Sequence, residues 1–210
     1  PLESRLRGIY RSSMVRLFST PLSANGRKVL AVMHHLGVVA EVELVNVYAG
    51  EGRSPRYLAL NPSGKIPLLV EGDFILSESN AILQYMAEAY GEASLWPGGP
   101  RERATVARWL FWEASAWQPA LTTVLAPHVG QVLGLAPAQP RATVDWGNEA
   151  FQRVARLLET HLEGRQWLAR EQLTLADLSV AAMLTYARSA SFPFETFSSI
   201  RDWYERVEGL

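Results

Sequence analysis

Polar side chains that could hold a sulfur nucleophile lie in the loop after the first apolar run of the chain. Ser23, Asn25 and Arg27 are close together, and a segment with helical apolar spacing follows at once. A hydroxyl beside the free N–H groups of a helix start can hydrogen-bond a thiolate, and the helix dipole also favours the anion. Both effects lower the pKa of a bound thiol, which is about 8.5 in solution. The loop therefore predicts a thiolate site.

A second group of candidates lies further along the chain. Ile66-Pro67 directly precedes the apolar run 68–70, where a proline cannot donate to a sheet ladder. A cis peptide bond there would turn the chain and leave the main-chain groups of Ile66 open to pair with an extended peptide. Glu78 and Ser79 follow where a helix should start, beside N–H groups that favour a carboxylate. An extended edge next to an anion site suits a small γ-linked tripeptide.

The elements that position these residues follow from apolar spacing and turn residues, and their order is βαβαββα. The predicted strands are 15–18, 41–47, 68–70 and 74–76, and the predicted helices are 25–36, 55–60 and 79–90. Gly37 and Gly91 stop two of these helices.

The second half of the chain shows only helical periodicity. A linker rich in glycine and proline at 92–100 leads to predicted helices at 101–130, 142–162 and 175–189. Pro119 and Pro127 should bend or divide the first of them. A loop is predicted at 137–140, and Thr174 with Asp177 has the spacing of a structural capping box.

The segment with Pro67, the 71–73 turn and the pair Glu78-Ser79 resembles the glutathione-binding half of cytosolic glutathione transferases. The resemblance runs from about Met14 to the C-terminus. It implies an α/β plus all-α fold: a thioredoxin-like domain at 14–91, a linker at 92–100 and an all-helical domain at 101–210. Residues 1–13 are polar and basic without an apolar core, so we interpret them as a disordered or vector-derived leader.

Within this family the loop resembles the serine-type (theta-, beta- or nu-like) transferases, whose active serine lies four residues before an arginine, as Ser23 does before Arg27. In a related bacterial subgroup with the sequence Thr-Pro-Asn-Gly-His-Lys, which 23–28 parallels, both the hydroxyl residue and the asparagine contact sulfur. Asn25 is therefore a second catalytic candidate, and Ser19 and Thr20 are third choices. The alternative is that Ser23 or Asn25 merely caps the helix.

The resemblance also assigns the remaining parts of the ligand. The implied glutathione-binding residues are Ile66 and Pro67 for the cysteinyl part, Glu78 and Ser79 for the γ-glutamyl end, and Lys65 for the glycine carboxylate, with Arg53 as a further candidate that is equally well explained as a solvated loop cation.

An aromatic run at 108–118 has helical spacing, which is typical of a buried core stripe. By analogy with the family, this helix lines an apolar co-substrate pocket, to which Trp112 or Trp117 would contribute while Trp109 is buried.

Composition excludes several other classes. The chain has 210 residues, a net charge of −1 and no cysteine, so disulfides, a cysteine nucleophile and thiolate metal sites are excluded. The charge gives no reason to expect nucleic acid or an anionic membrane as a partner, and no apolar run approaches the roughly 18 residues of a membrane span. The histidines form no cluster with carboxylates, so no metal site is expected.

The sequence thus predicts a glutathione transferase that directs the thiolate of glutathione onto an apolar electrophile. The resemblance implies a cytoplasmic homodimer, with glutathione as substrate and no cofactor. Two alternatives stay open: a glutathione-dependent disulfide reductase or peroxidase, favoured if Asn25 rather than Ser23 controls the sulfur, and a non-catalytic binding or scaffold protein with the same fold.

Overall fold

The computed structural model describes residues 14–91, 95–132, 134 and 144–210. The predicted leader at 1–13, residues 92–94 of the predicted linker and the predicted loop at 137–140 lie outside this part. The chain divides after Met86 into two compact units, a small α/β unit and a helical unit. No helix in the described ranges has the length and apolarity needed to cross a membrane.

The small unit has the predicted order of elements. These are β1 (Val15–Ser19), α1 (Ala24–His35), β2 (Glu41–Leu44), two 3₁₀ turns (Val47–Ala49 and Glu51–Arg53), α2 (Pro55–Leu60), β3 (Leu68–Glu71), β4 (Phe74–Ser77) and α3 (Ser79–Tyr90), whose last turn passes into the second unit.

The second strand is shorter than predicted because Asn46 ends it. The side-chain oxygen of Asn46 accepts from the N–H of Ala49 at 3.1 Å, and its own N–H donates to the carboxylate of Glu51 at 2.6 Å. These local bonds compete with the sheet ladder and start a 3₁₀ turn instead.

The four strands form one mixed sheet in the order β2-β1-β3-β4. β1 is parallel to β2 and antiparallel to β3, and β3 pairs with β4 as an antiparallel hairpin. All four residues of β3 are buried, as expected for a central strand. Phe18, Tyr57 and Val70 belong to one buried core cluster, and Ile66 packs against it, so the segment before β3 is anchored to the sheet.

The helical unit contains no strand among its described residues. Its elements are α4 (Pro100–Trp112), a π-helical turn (Glu113–Trp117), α5 (Gln118–Val132), α6 (Glu149–Leu162), α7 (Leu175–Ala182) and α8 (Ser198–Glu208). The π turn ends two residues before Pro119, which lacks the N–H that the carbonyl of Ser115 would accept from in an α-helix. Pro127 lies inside α5 without dividing it.

Two predicted helices were too long. The helix predicted to start at 142 begins at Glu149, because Asn148 caps it by accepting from the N–H groups of Ala150 and Phe151. The helix predicted to reach 189 ends at Ala182. There the hydroxyl of Thr185 bonds to the carbonyl of Ala182 at 2.6 Å, and the chain continues in tighter turns.

The predicted capping box is confirmed and extends across the helical unit. One carboxylate oxygen of Asp177 accepts from both the N–H and the hydroxyl of Thr174, each at 2.9 Å. The other accepts from the N–H of Leu168 at 2.8 Å and from the indole of Trp203 at 3.0 Å. Burial raises the pKa of Asp177, against the effect of these hydrogen bonds. This carboxyl group therefore ties α7 to α8 and to the segment after α6.

Candidate functional site

Ser23 caps α1, and this role leaves its hydroxyl proton available. The N–H of Gly26 donates to Ser23 Oγ at 3.1 Å, and the N–H of Ser23 closes a turn onto the carbonyl of Thr20 at 3.0 Å. Capping uses a lone pair of the oxygen, whereas stabilising a thiolate uses the O–H. The two roles proposed for Ser23 are therefore compatible.

Arg27 holds the turn that presents Ser23. Its Nε–H donates to the carbonyl of Pro21 at 2.7 Å, although the side chain itself is exposed. Pro21 stands at the second position of the turn from Thr20 to Ser23, where a fixed φ is favourable. Arg27 therefore fixes the turn from outside, a contact that the spacing of Ser23 and Arg27 did not reveal.

Ser19, a third-choice candidate, faces the start of α1. It is fully buried at the end of β1, and its hydroxyl has no hydrogen-bond partner among the described residues. A Cβ on Gly26 would overlap Ser19 Oγ, so the two residues lie in close contact. With no exposed surface, Ser19 acts as packing in this structure.

Asn25, at the start of α1, is hydrogen-bonded to Ser79, at the start of α3. Ser79 Oγ donates to Asn25 Oδ1 at 3.2 Å, and both side chains are half-buried. With its oxygen engaged, Asn25 retains an amide NH₂ group that can donate to a bound anion. The start of α1 and the start of α3 thus meet through a direct side-chain contact.

The predicted cis peptide bond at Ile66-Pro67 is confirmed. Just before it, the carbonyl of Lys65 accepts from Tyr57 Oη and from Asn61 Nδ2, both at 2.7 Å. Within the described ranges, the main chain of Ile66 has no hydrogen-bond partner. The side chains of Tyr57 and Asn61 therefore fix the chain at Lys65. The main-chain polar groups of the next residue, Ile66, are open to a ligand.

Glu78 has an unusual backbone conformation at the start of α3. Its φ is 69°, in the left-handed region, and its carbonyl accepts from the N–H groups of Ala81 and Ile82 at 3.0 Å. Such a conformation costs about 1–3 kcal/mol in a residue other than glycine and is concentrated at functional sites. The side chain of Glu78 is exposed and has no partner among the described residues.

The candidate cations Arg53 and Lys65 lie on loops that touch. A Cβ on Gly52 would overlap the carbonyl oxygen of Gly64, and a Cβ on Gly64 would lie 2.7 Å from the carbonyl oxygen of Gly52. Only glycines allow the two backbones to approach this closely. Both cationic side chains are exposed, on loops whose backbones are in contact.

The two tryptophans predicted for the co-substrate pocket differ in burial. Trp117 has no exposed surface, its indole donates to the carbonyl of Val180 at 3.1 Å, and its ring stacks on Trp112 at 5.7 Å. A side chain in this position contributes to the core. Trp112 is half-buried and lines a cavity between α4 and α6, while Trp109 is buried as predicted.

The sequence did not predict the residues that fix the backbone of the site without themselves contacting a ligand. Tyr57 and Asn61 clamp the carbonyl of Lys65, and the turn-forming residues 61–64 are the signal that could have revealed Asn61. The left-handed conformation of Glu78 leaves no trace in the sequence. Across the described ranges, no group of three or more histidine or acidic residues could hold a metal ion.

Comparisons with known proteins agree with this geometry. The N-terminal domain model of glutathione S-transferases matches residues 17–94, and the C-terminal domain model matches residues 114–210. Glutathione S-transferase GstB of Escherichia coli K12 is 28% identical over 200 residues, which cover 92% of this chain and 93% of the relative.

Solved structures of this family are similar to the chain over most of its length. A delta-class glutathione transferase of Nilaparvata lugens has a TM-score of 0.81 and 29% identity, covering 93% of this chain and 88% of its own. A possible glutathione S-transferase from Rhodopseudomonas palustris has a TM-score of 0.78 and 32% identity, covering 93% and 94%.

A thioredoxin-like unit with a cis-proline edge, followed by a helical unit, defines the class of protein. Because the two domain models together match most of the chain, it belongs to the glutathione S-transferase family. The chain is a glutathione transferase by this membership, and the family and fold implied by the sequence are confirmed.

Proposed function

We propose that the chain binds reduced glutathione at its small unit and stabilises the thiolate through Ser23, with Asn25 as a second donor. The thiolate then attacks an apolar electrophile. The observation that carries this proposal is the hydrogen bond from the N–H of Gly26 to Ser23 Oγ, which orients the hydroxyl and leaves its proton to donate. The start of α1 adds a favourable dipole at the same place.

The other proposed contacts pair each polar group of the tripeptide with a residue of the small unit. The unpartnered main chain of Ile66 pairs with the cysteinyl residue, as a neighbouring strand would. The carboxylate of Glu78 meets the α-amino group of the γ-glutamyl end, and Ser79 at the start of α3 meets its carboxylate. We propose that Lys65 and Arg53, which are exposed on neighbouring loops, pair with the glycine carboxylate at the other end.

The gain from the proposed donors can be stated as a free energy. Lowering the thiol pKa by about two units corresponds to about 2.7 kcal/mol. It raises the thiolate fraction at neutral pH roughly twentyfold, because a free thiol is only a few per cent ionised there. One charge-assisted hydrogen bond from Ser23 and one from Asn25 are of the right strength for this shift.

The test is the pH dependence of kcat/KM for conjugation of glutathione to an aromatic halide. Only the thiolate reacts, so kcat/KM rises with pH through the pKa of the bound thiol. Ser23→Ala should move this rise to higher pH and lower the rate at neutral pH, with recovery in alkaline buffer. Ser23→Gly is the matched control for stability, because glycine at a cap costs only a few tenths of a kcal/mol. An unchanged pH profile in both variants would rule out Ser23.

Disulfide reduction or peroxidase activity is the second candidate, and the fixed position of Asn25 supports it. The Asn25 side chain is held by Ser79 and can control the sulfur without Ser23. Asn25→Ala should then abolish disulfide exchange while Ser23→Ala leaves most of it. A non-catalytic glutathione-binding protein would instead show affinity for glutathione without turnover of any electrophile.

A homodimer in the cytoplasm remains our proposal for the assembly and location. Exposed apolar side chains support the dimer: Phe74 and Ile75 on the edge strand β4, and Phe111 on α4, which is 73% exposed. Light scattering should give twice the chain mass, and Phe111→Ser should lower it. A monomer across the micromolar range would contradict the proposed dimer.

A further inference from the structure

Strand β2 forms one edge of the sheet in the small unit. In the order β2-β1-β3-β4 it lies at one end, and its pairing within the described ranges is with β1 alone. The N–H of Val45, just after the strand, donates to the carbonyl of Ser19 at the end of β1 at 3.0 Å. Main-chain groups alternate in direction along a strand, so those of Glu43 also face β1, whereas those of Val42 and Leu44 face outward.

The outward main-chain groups of Val42 and Leu44 have no hydrogen-bond partner in the part of the chain that the structure describes. The side chains of these two residues are 42% and 70% exposed, and that of Val39, just before the strand, is exposed as well. A strand edge with open polar groups and exposed aliphatic side chains is a template for pairing with another strand.

A cavity of about 300 Å³ lies between β2 and α2, beside this edge. Its apolar lining includes Phe18, Val45, Tyr57 and Leu60, and none of the residues assigned to glutathione lines it. Extended peptides that add to a sheet edge gain affinity from main-chain hydrogen bonds and specificity from pockets for alternate side chains. The open edge of β2 and the cavity next to it supply both.

The charges beside this edge favour a basic partner. The carboxylates are those of Glu41, Glu43 and Glu51. Glu43 is paired with Arg16 at 3.1 Å and with Arg56 at 3.4 Å, and Glu51 accepts a main-chain N–H at 2.6 Å. Glu41 is exposed and forms no ion pair with any described residue. A cationic side chain opposite Glu41 would therefore complete the pairing of charges along the strand.

We propose that β2 docks an extended segment of another protein, which adds to the sheet as an antiparallel strand. In such a ladder Val42 and Leu44 each exchange both main-chain hydrogen bonds with the residue opposite. The segment places β-branched side chains opposite these two residues and a basic side chain opposite Glu41. An aliphatic side chain opposite Glu43 enters the cavity. Strand β4, which carries part of the proposed dimer surface, lies at the other end of the sheet, so the two surfaces are separate.

The test is a titration of the isotope-labelled full chain with the peptide acetyl-Lys-Thr-Leu-Val-Lys-Thr-amide, followed by NMR. In the proposed register the leucine of the peptide lies opposite Glu43 and its valine opposite Val42. The amide signals of Val42 and Leu44 should shift, and their hydrogen exchange should slow on binding. The amide of Glu43 already faces β1 and should keep its exchange rate.

Methylated peptides test the main-chain bonds without changing the protein. Methylating the valine nitrogen removes an N–H that faces β2, and it should weaken binding about tenfold, as expected for one lost hydrogen bond. Methylating the leucine nitrogen is the matched control, because its N–H faces away from β2. Replacing the leucine by alanine should weaken binding by emptying the cavity.

A charge variant tests the choice of partner. Glu41→Gln should weaken the peptide about threefold, as an exposed ion pair does, and the difference should shrink as salt is added. Asp73→Asn, in the turn between β3 and β4, removes the same charge away from this edge and should have no effect.

Three results would overturn the proposal. The first is no shift of the Val42 and Leu44 signals at millimolar peptide, and the second is an equal loss of affinity for the two methylated peptides. The third is a lower mass in light scattering for Leu44→Lys than for the unchanged chain, which would assign this edge to a second copy of the chain.

Discussion

The hydroxyl of Ser79 donates to the side-chain oxygen of Asn25 across 3.2 Å, joining residues 54 positions apart. A hydroxyl has one proton, so Ser79 cannot donate it to both Asn25 and a ligand carboxylate. While Asn25 is held, Ser79 must meet the γ-glutamyl carboxylate with its main-chain N–H. The contact therefore couples recognition at one end of glutathione to the donor proposed for its sulfur.

This coupling predicts a non-additive double-mutant cycle. Ser79→Ala and Asn25→Ala should each weaken glutathione binding, and the double variant should lose less than the sum, with a coupling of about 0.5–1.5 kcal/mol. Titration calorimetry with glutathione measures all four proteins. Ser77→Ala combined with Asn25→Ala is the control pair and should be additive. Additivity in the Ser79 cycle would show that the contact does not matter for binding.

Arg27 should act on catalysis without touching the ligand. Arg27→Ala removes the hydrogen bond to the carbonyl of Pro21 and frees the turn that presents Ser23. We expect kcat to fall about tenfold, with a smaller change in the KM for glutathione, because misplacing a catalytic group costs rate. Because the side chain is exposed, the unfolding midpoint in urea should change little. Arg16→Ala, at a half-buried ion pair on β1, is a control that also removes an arginine of the small unit. Equal kinetic losses in both variants would contradict a specific role for Arg27.

The sequence predicted the parts of the site that depend on local chemistry. Pro67 before a buried run indicated the cis peptide bond, and Ser23 before a periodic segment indicated the helix start. The conformation of Glu78 could not be predicted, because the side chain does not require it and the surrounding fold imposes it. Periodicity placed Trp112 and Trp117 on a helix, but it does not say which of them faces the core.

The contact between Ser19 and Gly26 gives a test of how tightly α1 is held against β1. Gly26→Ala would place a Cβ on the buried Ser19 hydroxyl and should destabilise the protein by about 1–3 kcal/mol, as overpacking does. Ser19→Ala removes that oxygen and should restore stability in the double variant. Urea unfolding of the wild type, the two single variants and the double variant gives these differences. A double variant as unstable as Gly26→Ala would show that the clash is not the cause.

We expect Asp177 to be among the residues that contribute most to the stability of the helical unit. Asp177→Ala leaves the buried donors of Leu168, Thr174 and Trp203 without an acceptor, so we expect a loss of at least about 3 kcal/mol in the free energy of unfolding. Trp203→Phe removes one donor together with part of the ring and should cost less. Asp202→Ala, at an exposed ion pair, is the control and should have little effect. A loss in Asp177→Ala no larger than in the control would contradict this role.

His161 should make stability depend on pH in mildly acidic solution. Burial is the main cause that lowers its pKa below the value of about 6.5 expected in the unfolded chain. The charges of Arg165 and Arg108 add to this effect, whereas the hydrogen bond with the carbonyl of Leu168 and the charge of Asp177 oppose it. Between the two pKa values the unfolded state binds more protons, so stability rises with pH there. The contribution is complete above about pH 6.5 and is lost as pH falls through the lower folded pKa.

The measurement is the urea midpoint of the protein between about pH 8 and pH 5. His161→Gln keeps a donor for the carbonyl of Leu168, which the ring contacts at 2.8 Å, but it removes the titrating group. We therefore expect this variant to lose less stability on acidification than the wild type. His34→Gln, at an exposed position on α1, should retain the wild-type dependence. If His161→Gln follows the wild-type curve, the acid sensitivity arises at other groups, because the only change in titration between these proteins is at this imidazole.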